Sequence, residues 1–526
     1  MKQLVATSRC LAIITAALAV TFACSSADLQ AADAKRPNVL LICIDDLKPY
    51  LGCYGDPHAV TPNIDRLASQ GVRFDAAYCN QAVCAPSRNS LLTGLRPQTL
   101  GIYDLQTNFR QGKPDAVTLP QAFKNAGYRT ENLGKIFHVG HGNFDDKASW
   151  SVPHFRGKGD YALAENRNPE GTREEARFTN VPELKAGKLP RGAAYESADV
   201  EDEVYADGQV AAEAVKRLAA AAEKPDEPFF LAVGFVKPHL PFCAPTKYWD
   251  LYDPAKFELA KLREAPEGAP EFAPTKWQEL RQYKYAPESG PVDDELQRKL
   301  IHGYCAATSY TDAQIGKVLD ALKANGLDKN TIIVLWGDHG WHLGDHGMWC
   351  KHTNYQQAAR IPYIIDLPSG VRAGEVSEEL VETVDIYPTL CELAGIELPY
   401  ELDGSSLAPV LNDAAAHTDG VAFHVFPRGK LLGRAVRTDR YRLVEWKTPG
   451  APAEEAIFEL YDFQADPEES KNLAAEQPEV VAQLREILAK QPEAKPQVVA
   501  KKGQGKGQAK AKGKNKKNKR PAAAQS

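Results

Sequence analysis

Short apolar runs alternate with segments of helical pattern over the first 400 residues of this chain. The apolar runs predict buried strands at 38–44, 129–133, 229–235, 331–336 and 362–367. Helices are predicted at 62–70, 87–92, 119–125, 202–222, 303–324 and 384–394. This alternation is typical of an α/β fold in which helices cover both faces of a large, mostly parallel sheet.

The pattern changes after about residue 415. Strands are predicted at 421–426, 432–437, 441–446 and 458–462, and a helix at 479–489. Short strands with polar turns between them indicate a small antiparallel sheet. We therefore expect a main domain over 36–414 and an α+β subdomain over 415–490. Two polar segments, 154–200 and 243–300, are predicted as long excursions from the sheet, and such loops often bind ligands.

The two ends of the chain differ in composition from the rest. Lys2 and Arg9 precede an apolar run at 11–23, and small residues follow at 29–32. This pattern predicts a signal peptide over 1–31 and export to the periplasm or the medium. The run is too short to be a membrane span, and lipid attachment at Cys24 is the alternative.

The overall net charge of −6 conceals a basic C-terminus. Residues 501–526 hold nine Lys, one Arg and no acid, and they carry almost no apolar bulk. Such a segment cannot bury enough surface to fold, so we predict a disordered tail over 491–526. The functional alternative is an electrostatic tether to an acidic polymer.

A thiol followed closely by a proline and an arginine marks residues 84–88, Cys-Ala-Pro-Ser-Arg. Proline is favoured in the first turn of a helix, so Cys84 is expected beside a helix N-terminus. The N–H groups and the helix dipole there attract an anion, and Arg88 adds a charge one turn further on. The pattern predicts a site for a tetrahedral oxyanion against residue 84. The alternative is a buried thiol, or a disulfide with Cys79.

Charged side chains follow four of the predicted strands at the point where each strand ends. These residues are Asp45 and Asp46, Lys135 and His138, Lys237 and His239, and Asp338 and His339. Because ligands of open α/β sheets bind beyond the carboxyl ends of the strands, we expect one polar edge that also receives residue 84. Each acid alone could instead cap a helix, but four caps at one edge are a poorer explanation.

Three of these residues are carboxylates that the fold would bring together. Asp45, Asp46 and Asp338 would repel one another unless a cation lay between them. Oxygen ligation favours calcium or magnesium over zinc, so the sequence predicts a divalent metal site. The chain has no Cys-x-x-Cys pair, which argues against a zinc site or a disulfide framework and favours free thiols.

Several motifs, in the same order, resemble those of the type I sulfatases. The motif at 84–88 continues as Asn-Ser-Leu-Leu-Thr-Gly, and further motifs lie at 38–47, 51–55, 134–138, 237–239 and 337–344. Together they resemble the iduronate-2-sulfatase branch from about residue 37 to about residue 488. The resemblance implies an alkaline-phosphatase-like sulfatase fold. It also implies that a formylglycine-generating enzyme oxidises Cys84 to formylglycine, whose hydrate is the nucleophile.

The resemblance further implies a role for each site residue. One calcium ion would be bound by Asp45, Asp46, Asp338, His339 and the hydrated residue 84. Positive charge would come from Arg88, Lys135 and Lys351. His239 would protonate the leaving sugar oxygen, and His138 would deprotonate the remaining hydroxyl of residue 84 so that sulfate is released.

Other residues of the motifs receive weaker assignments. The remaining histidines near the motifs are expected to be structural or to face the substrate, and they are His141, His342, His346 and His352. By resemblance, Trp341 and Leu343 would shape the sugar pocket.

These expectations describe an exported sulfatase for a uronic-acid-containing saccharide, with 2-O-sulfated uronate favoured. One alternative is a phosphate or phosphonate ester hydrolase that uses the same residues. Another is a non-catalytic polysaccharide-binding protein attached through the basic tail, although the intact set of site residues argues against it. No nucleic-acid partner and no membrane span are expected.

Overall fold

The computed structural model describes residues 36–159, 161–167, 191–275 and 279–499. The predicted signal peptide, all but the first residues of the predicted tail and part of the excursion at 154–200 therefore lie outside the described residues. No described helix is long and apolar enough to cross a membrane.

The strands of the described chain are β1 Asn38–Ile44, β2 Val72–Tyr78, β3 Arg129–Gly134, β4 Arg191–Ala193, β5 Tyr195–Ala198, β6 Phe229–Phe235, β7 Phe242–Pro245, β8 Tyr283–Lys284, β9 Thr331–Gly337, β10 Tyr363–Asp366, β11 Val376–Glu382, β12 Ala422–Arg428, β13 Leu431–Arg437, β14 Tyr441–Lys447 and β15 Ile457–Asp462. Its helices are α1 Pro62–Ala68, α2 Cys84–Thr93, α3 Pro97–Leu100, α4 Leu119–Asn125, α5 Ala206–Ala222, α6 Thr246–Trp249, α7 Asp294–Ala324, α8 Gln356–Ala359, α9 Ile386–Leu393, α10 Ala408–Asn412 and α11 Pro478–Ala489.

The main sheet has seven strands in the order β11-β2-β10-β9-β1-β6-β3. Every neighbouring pair is parallel except those of β10, which runs antiparallel to both β9 and β2. The prediction of a mostly parallel sheet is confirmed. β10 reverses because the segment 338–362 returns to the edge where β9 ends, so that Tyr363 pairs with Trp336.

Helices cover both faces of this sheet, as the strand pattern predicted. In β1, Val39 and Leu41 pack into the core on the face of α2, α4 and α9, whereas Leu40 and Ile42 pack into the core on the face of α1, α5 and α7. Because side chains alternate along a strand, a strand buried on both faces must be apolar throughout, which explains the continuous run.

Two strands of the main sheet, β2 and β11, were not predicted. Their sequences, Val-Arg-Phe-Asp-Ala-Ala-Tyr and Val-Ser-Glu-Glu-Leu-Val-Glu, mix charged with apolar residues. They lie at one side of the sheet, where positions of β2 are only partly buried and positions of β11 are exposed, so their composition gives a weak strand signal.

The two excursions pair with each other. β4 pairs with β8 and β5 pairs with β7, which makes two small parallel sheets that the sequence did not predict. β7 contacts α7, which begins at Asp294, nine residues before the predicted start at 303. The early start is stabilised by Asp293, whose side chain accepts a hydrogen bond from the Leu296 N–H at 2.8 Å.

The C-terminal part forms the predicted antiparallel sheet, in the order β12-β13-β14-β15. Helix α11 packs on one face through Val481, Leu484 and Leu488. All eight cysteines of the described chain are free thiols, so the structure gives no support to a disulfide between Cys79 and Cys84.

Candidate active site

The predicted site residues meet at the edge of the main sheet formed by the C-terminal ends of β1, β3, β6 and β9, which we call the rim. Parallel strands place their carboxyl ends together, so segments far apart in sequence converge there. The residues that share contacts at the rim are Asp45, Asp46, Cys84, Arg88, Lys135, His239, Asp338, His339 and Lys351. All of them are buried.

The backbone turns sharply where β1 ends. Asp46 has φ of 59°, a left-handed conformation that is unusual for a residue with a side chain. The turn is held by Tyr304 of α7, whose hydroxyl donates to the Asp46 carbonyl at 2.8 Å and accepts from the Lys48 N–H at 2.9 Å. The Asp46 N–H donates to Asp338 Oδ1 at 3.0 Å, which ties the ends of β1 and β9 together.

Cys84 is the first residue of α2, and every residue of that helix is buried. Its Sγ lies 3.4 Å from Nε2 of His339. Burial and the neighbouring Asp45 carboxylate raise the pKa of the Cys84 thiol to about 11. The thiol is therefore protonated at neutral pH, which makes it a poor nucleophile in its unmodified form.

Arg88 connects three of the strands at the rim. Its Nε donates to Asp338 Oδ2 at 2.9 Å, and its Nη2 donates to Asp45 Oδ1 at 3.3 Å. Its Nη1 donates to the carbonyls of Lys135 and Ile136. Because the guanidinium is fully buried and holds two carboxylates, it fixes the geometry of the acids as well as supplying charge.

Two lysines contact the remaining carboxylate oxygens. The Lys135 ammonium contacts Asp45 Oδ2. The Lys351 ammonium lies 3.1 and 3.0 Å from the two oxygens of Asp46, and it stands 5.0 Å from the centre of the Trp341 ring. Burial alone would raise the pKa of Asp45, but Lys135, His239 and Arg88 hold it well below its usual range.

The loop after β6 carries His239. Its Nδ1 lies 2.5 Å from the Leu240 carbonyl, so Nδ1 carries the proton and Nε2 is directed at the rim, 3.9 Å from Asp46 Oδ2. Asp207 holds the loop by accepting hydrogen bonds from the N–H groups of Val236 and Lys237. Burial, with the nearby Lys351, lowers the pKa of His239 well below its usual range.

The Lys237 side chain bonds within this loop and does not contact the carboxylates of the rim. Its ammonium donates to the carbonyls of His239 and Pro241 at 3.2 and 2.6 Å. The sequence predicted that Lys237 would join the polar edge, but its charge is used to fold the segment that presents His239.

The other histidines occupy several environments. His138 is buried, and its Nε2 lies 3.2 Å from Nδ1 of the partly exposed His141. His342 and His346 are bonded within the protein, to Thr353 Oγ1 at 2.9 Å and to the Glu468 carbonyl at 3.0 Å, which supports a structural role for both. His352 is partly exposed and follows Lys351 in the sequence.

Trp341 and Leu343 are buried in an apolar cluster at the rim. The edge of Phe242 contacts the Trp341 ring, with centroids 6.4 Å apart, and Lys351 lies over the same ring. Trp341 therefore supports the lysine directly, and its role in a sugar pocket stays a prediction.

One buried acid at the rim was not predicted. Glu279 is 4% exposed, and its oxygens lie 3.0 Å from Lys351 Nζ and 3.7 Å from His239 Nε2. It belongs to the excursion at 243–300 and follows no strand of the main sheet, so neither motif nor periodicity marked it. Only the packing of the excursion against the rim brings it into the site.

The donor set fits the predicted metal ion. Asp45, Asp46, Cys84 and His339 offer ligand atoms that all lie within 4.8 Å of one another. His339 donates its Nδ1 proton to the Gly340 carbonyl at 3.1 Å, which directs Nε2 towards the carboxylates, as in metal-ligating histidines. Burial, together with Asp45, raises the pKa of both Asp46 and Asp338. The Asp45 contribution is repulsion between carboxylates, which a hard divalent cation would relieve.

Two family models match the chain. The model described as Sulfatase matches residues 37–396, and the one described as N-sulphoglucosamine sulphohydrolase, C-terminal, matches residues 344–494. The chain belongs to the sulfatase family. It is accordingly a sulfuric ester hydrolase, and the resemblance stated from the motifs is confirmed, including its iduronate-2-sulfatase-like branch.

Known proteins similar to this sulfatase include the iduronate 2-sulfatase of Mus musculus, which is 37% identical over 397 residues, or 69% of each chain. A solved structure of a protein in complex with its substrate D-glucosamine-2-N,6-O-disulfate superimposes with a TM-score of 0.68 at 22% identity, covering 87% of this chain and 97% of that one. The phosphonate monoester hydrolase of Silicibacter pomeroyi has the same TM-score at 24% identity and covers 86% and 95%. At these identities, the two structures bear on the fold alone.

The C-terminal sheet of this sulfatase holds the segment that follows Lys351. Arg428 Nη2 donates to the His352 carbonyl at 2.5 Å, and Arg442 Nη1 donates to the Asn354 carbonyl. Arg442 also forms a buried ion pair with Glu469, 2.5 Å apart. The subdomain thus fixes the backbone next to Lys351.

We predict that Arg442→Met weakens both the fold and the site. Removing one partner of a buried ion pair leaves Glu469 uncompensated, which costs about 3–5 kcal/mol, and it frees the backbone beside Lys351. Thermal unfolding and kcat/KM measure the two effects. The control is Arg263→Met, because Arg263 forms a surface pair with Asp294 at 2.7 Å that contributes about 0–1 kcal/mol. Equal, small effects of the two substitutions would contradict the prediction.

Proposed function

We propose that this protein is an exported sulfatase that cleaves 2-O-sulfated uronic acid residues of a saccharide, with formylglycine at residue 84 and a calcium ion at the rim. The observation that carries the proposal is the position of Cys84. It begins a buried helix, contacts His339, and lies among the carboxylates and cations contributed by four strand ends. Export rests on the predicted signal peptide at 1–31 and is a proposal from sequence.

Modification of Cys84 would resolve a chemical difficulty at the site. The buried thiol is protonated at neutral pH, since its pKa is raised to about 11 by burial. Conversion by a formylglycine-generating enzyme would replace it with an aldehyde whose hydrate supplies an oxygen nucleophile. The N-terminus of α2 then favours the sulfate group in front of residue 84.

The metal would be held by Asp45, Asp46, Asp338, His339 and residue 84. When bound, calcium would act as a Lewis acid on a sulfate oxygen. Arg88 keeps Asp45 and Asp338 in place for it through hydrogen bonds of 3.3 and 2.9 Å.

The remaining residues would bind the ester and move protons. Lys135 and Lys351 place two ammonium groups at the carboxylate cluster, where they can bind sulfate oxygens as charge develops. His239 has its Nδ1–H fixed on the Leu240 carbonyl and directs Nε2 at the rim, so its imidazolium form would donate the Nε2 proton to the leaving oxygen and return to the neutral ring. The negative charge of the bound ester would favour that protonated form. We assign to His138 the removal of the proton that lets sulfate leave residue 84.

Preference for a uronate is supported by the relative named iduronate 2-sulfatase, at 37% identity. A uronate adds a carboxylate to the sulfate ester. A pocket with buried cations therefore suits a sulfated uronate better than it suits an aryl sulfate, which has no second negative charge. A phosphate or phosphonate ester hydrolase that uses the same residues is the second candidate, because the N-terminus of α2 and the buried ammonium groups also suit a phosphorus ester. A non-catalytic binding protein is set aside because the chain is a sulfuric ester hydrolase.

We predict an aldehyde at residue 84 of the active protein, detected by peptide mass spectrometry. Cys84→Ala should lower turnover by at least about a thousandfold, because the nucleophile is lost while the fold is retained. Cys53→Ala, at a partly exposed thiol, is the matched control and should retain activity. Active protein that carries only unmodified cysteine at position 84 would disprove the mechanism.

We predict that complete chelation abolishes activity and that calcium restores it. Asp338→Asn should weaken calcium binding by about tenfold or more and lower activity in parallel, since the ligand set loses one negative charge. Asp320→Asn, a surface carboxylate on α7, is the control. Elemental analysis and calorimetry follow the metal independently of turnover. Full activity in protein shown to be metal-free would rule the metal out.

We predict a kcat/KM at least about tenfold higher on a 2-O-sulfated uronate disaccharide than on a 6-O-sulfated hexosamine or a simple aryl sulfate. Lys351→Ala should reduce activity on the uronate substrate severely, because it removes a buried countercharge. Lys323→Ala, in the last turn of α7, is the control. Preference for the hexosamine or the aryl ester would overturn the substrate assignment and leave the sulfatase assignment intact.

A further inference from the structure

Glu279 is a buried carboxylate that none of the proposed chemical steps uses. Its Oε2 lies 3.0 Å from Lys351 Nζ, and its Oε1 lies 3.7 Å from His239 Nε2. Asp46, His239 and Glu279 also offer ligand atoms within 4.8 Å of one another. The Lys351 ammonium bonds to both Asp46 and Glu279, so this group of acids already has a cation.

The segment around Glu279 is docked against both loops that its carboxylate touches. The Leu280 N–H lies 3.5 Å from the Trp349 carbonyl, two residues before Lys351. The Tyr283 hydroxyl donates to the Leu240 carbonyl at 3.4 Å, next to His239. These contacts fix the carboxylate relative to Lys351 and His239.

A fixed negative charge at this position changes the charge that the rim offers to an ester. Glu279 is 4% exposed, and the charges of buried ion pairs are weakly screened by water and salt. Lys351 is one of the two ammonium groups assigned above to the sulfate oxygens, and Asp46 already pairs with it. The Glu279 carboxylate adds a second negative charge beside this ammonium group. A sulfate ester carries one negative charge, whereas a phosphate monoester, whose second pKa is about 6, carries nearly two at pH 8.

We propose that Glu279 is a specificity-determining residue that acts through Lys351 and selects singly charged sulfate esters over doubly charged phosphate monoesters. The inference rests on the proposed function, because it takes Lys351 as a group that binds the ester oxygens. It explains why a buried acid lies beside a lysine that must attract an anion. It also gives a physical basis for discrimination within a fold that is shared with a phosphonate monoester hydrolase.

The test compares Glu279→Gln, which removes the charge at nearly constant shape, with Glu279→Asp, which retains it. Glu264→Gln, at an exposed acid of the same excursion, is the surface control. The full-length mature enzymes are assayed at pH 8 on 4-methylumbelliferyl sulfate, on the corresponding phosphate, and on 4-nitrophenyl phenylphosphonate. The phosphonate is a phosphorus ester with a single charge, so it separates the effect of charge from that of the central atom.

E279Q is expected to raise the ratio of kcat/KM for phosphate over sulfate by at least about tenfold, since one buried charge is removed. The ratio for phosphonate over sulfate should stay within about threefold of the unsubstituted enzyme, and E279D and E264Q should leave both ratios unchanged. An equal loss on all three substrates would overturn the proposal and reduce Glu279 to a support for Lys351. Parallel rises for phosphate and phosphonate would overturn it as well.

Calorimetry with methyl sulfate and methyl phosphate at pH 8 decides the matter if E279Q has no measurable turnover. The affinity for methyl phosphate relative to methyl sulfate must rise in E279Q, and an unchanged ratio overturns the proposal. If E279Q does not fold, the unsubstituted enzyme must bind methyl sulfate at least about tenfold more tightly than methyl phosphate, and the reverse order overturns the proposal. Absence of sulfatase activity in the unsubstituted enzyme would count against the proposed function alone.

Discussion

The concentration of buried carboxylates at the rim is the constraint on which the site depends. Asp45, Asp46 and Asp338 are less than 2% exposed, and burying an unpaired carboxylate is very costly. Arg88 meets this cost by donating to Asp45 and Asp338 at once. The two lysines, and a divalent cation where one is bound, meet the same requirement for positive charge. The groups that stabilise the fold at the rim are therefore also suited to binding a sulfate ester.

Topology explains how so many charges reach one place. Parallel β1, β3, β6 and β9 end at the same edge. β1, β3 and β9 each contribute the next one or two residues, and the loop after β6 contributes His239. The reversed strand β10 adds a further element, because the segment leading to it crosses the rim and carries Lys351. The C-terminal sheet then holds that segment through Arg428 and Arg442, so a subdomain outside the main sheet supports the site.

The parts of the fold and the site that could be predicted are those marked by a local pattern in the sequence. β1 and β6 were predicted with their observed bounds because strands buried on both faces are apolar throughout. β2 and β11 were missed because their partly buried or exposed positions admit charged residues. Lys237 was expected at the rim, yet its ammonium bonds to two carbonyls of its own loop. The sequence pattern shows only that Lys237 follows a strand. It does not show that backbone carbonyls compete for the ammonium group.

The sequence by itself determined the class of fold, the family and most of the residues at the rim. It could do so because a strand end and a helix start are read from neighbouring residues, and because motifs such as 84–88 are contiguous. Only the tertiary structure decided the direction of β10, the pairing of the two excursions and the place of Glu279. These features depend on contacts between segments separated by tens to hundreds of residues. Such contacts produce no periodic pattern in the sequence of either segment.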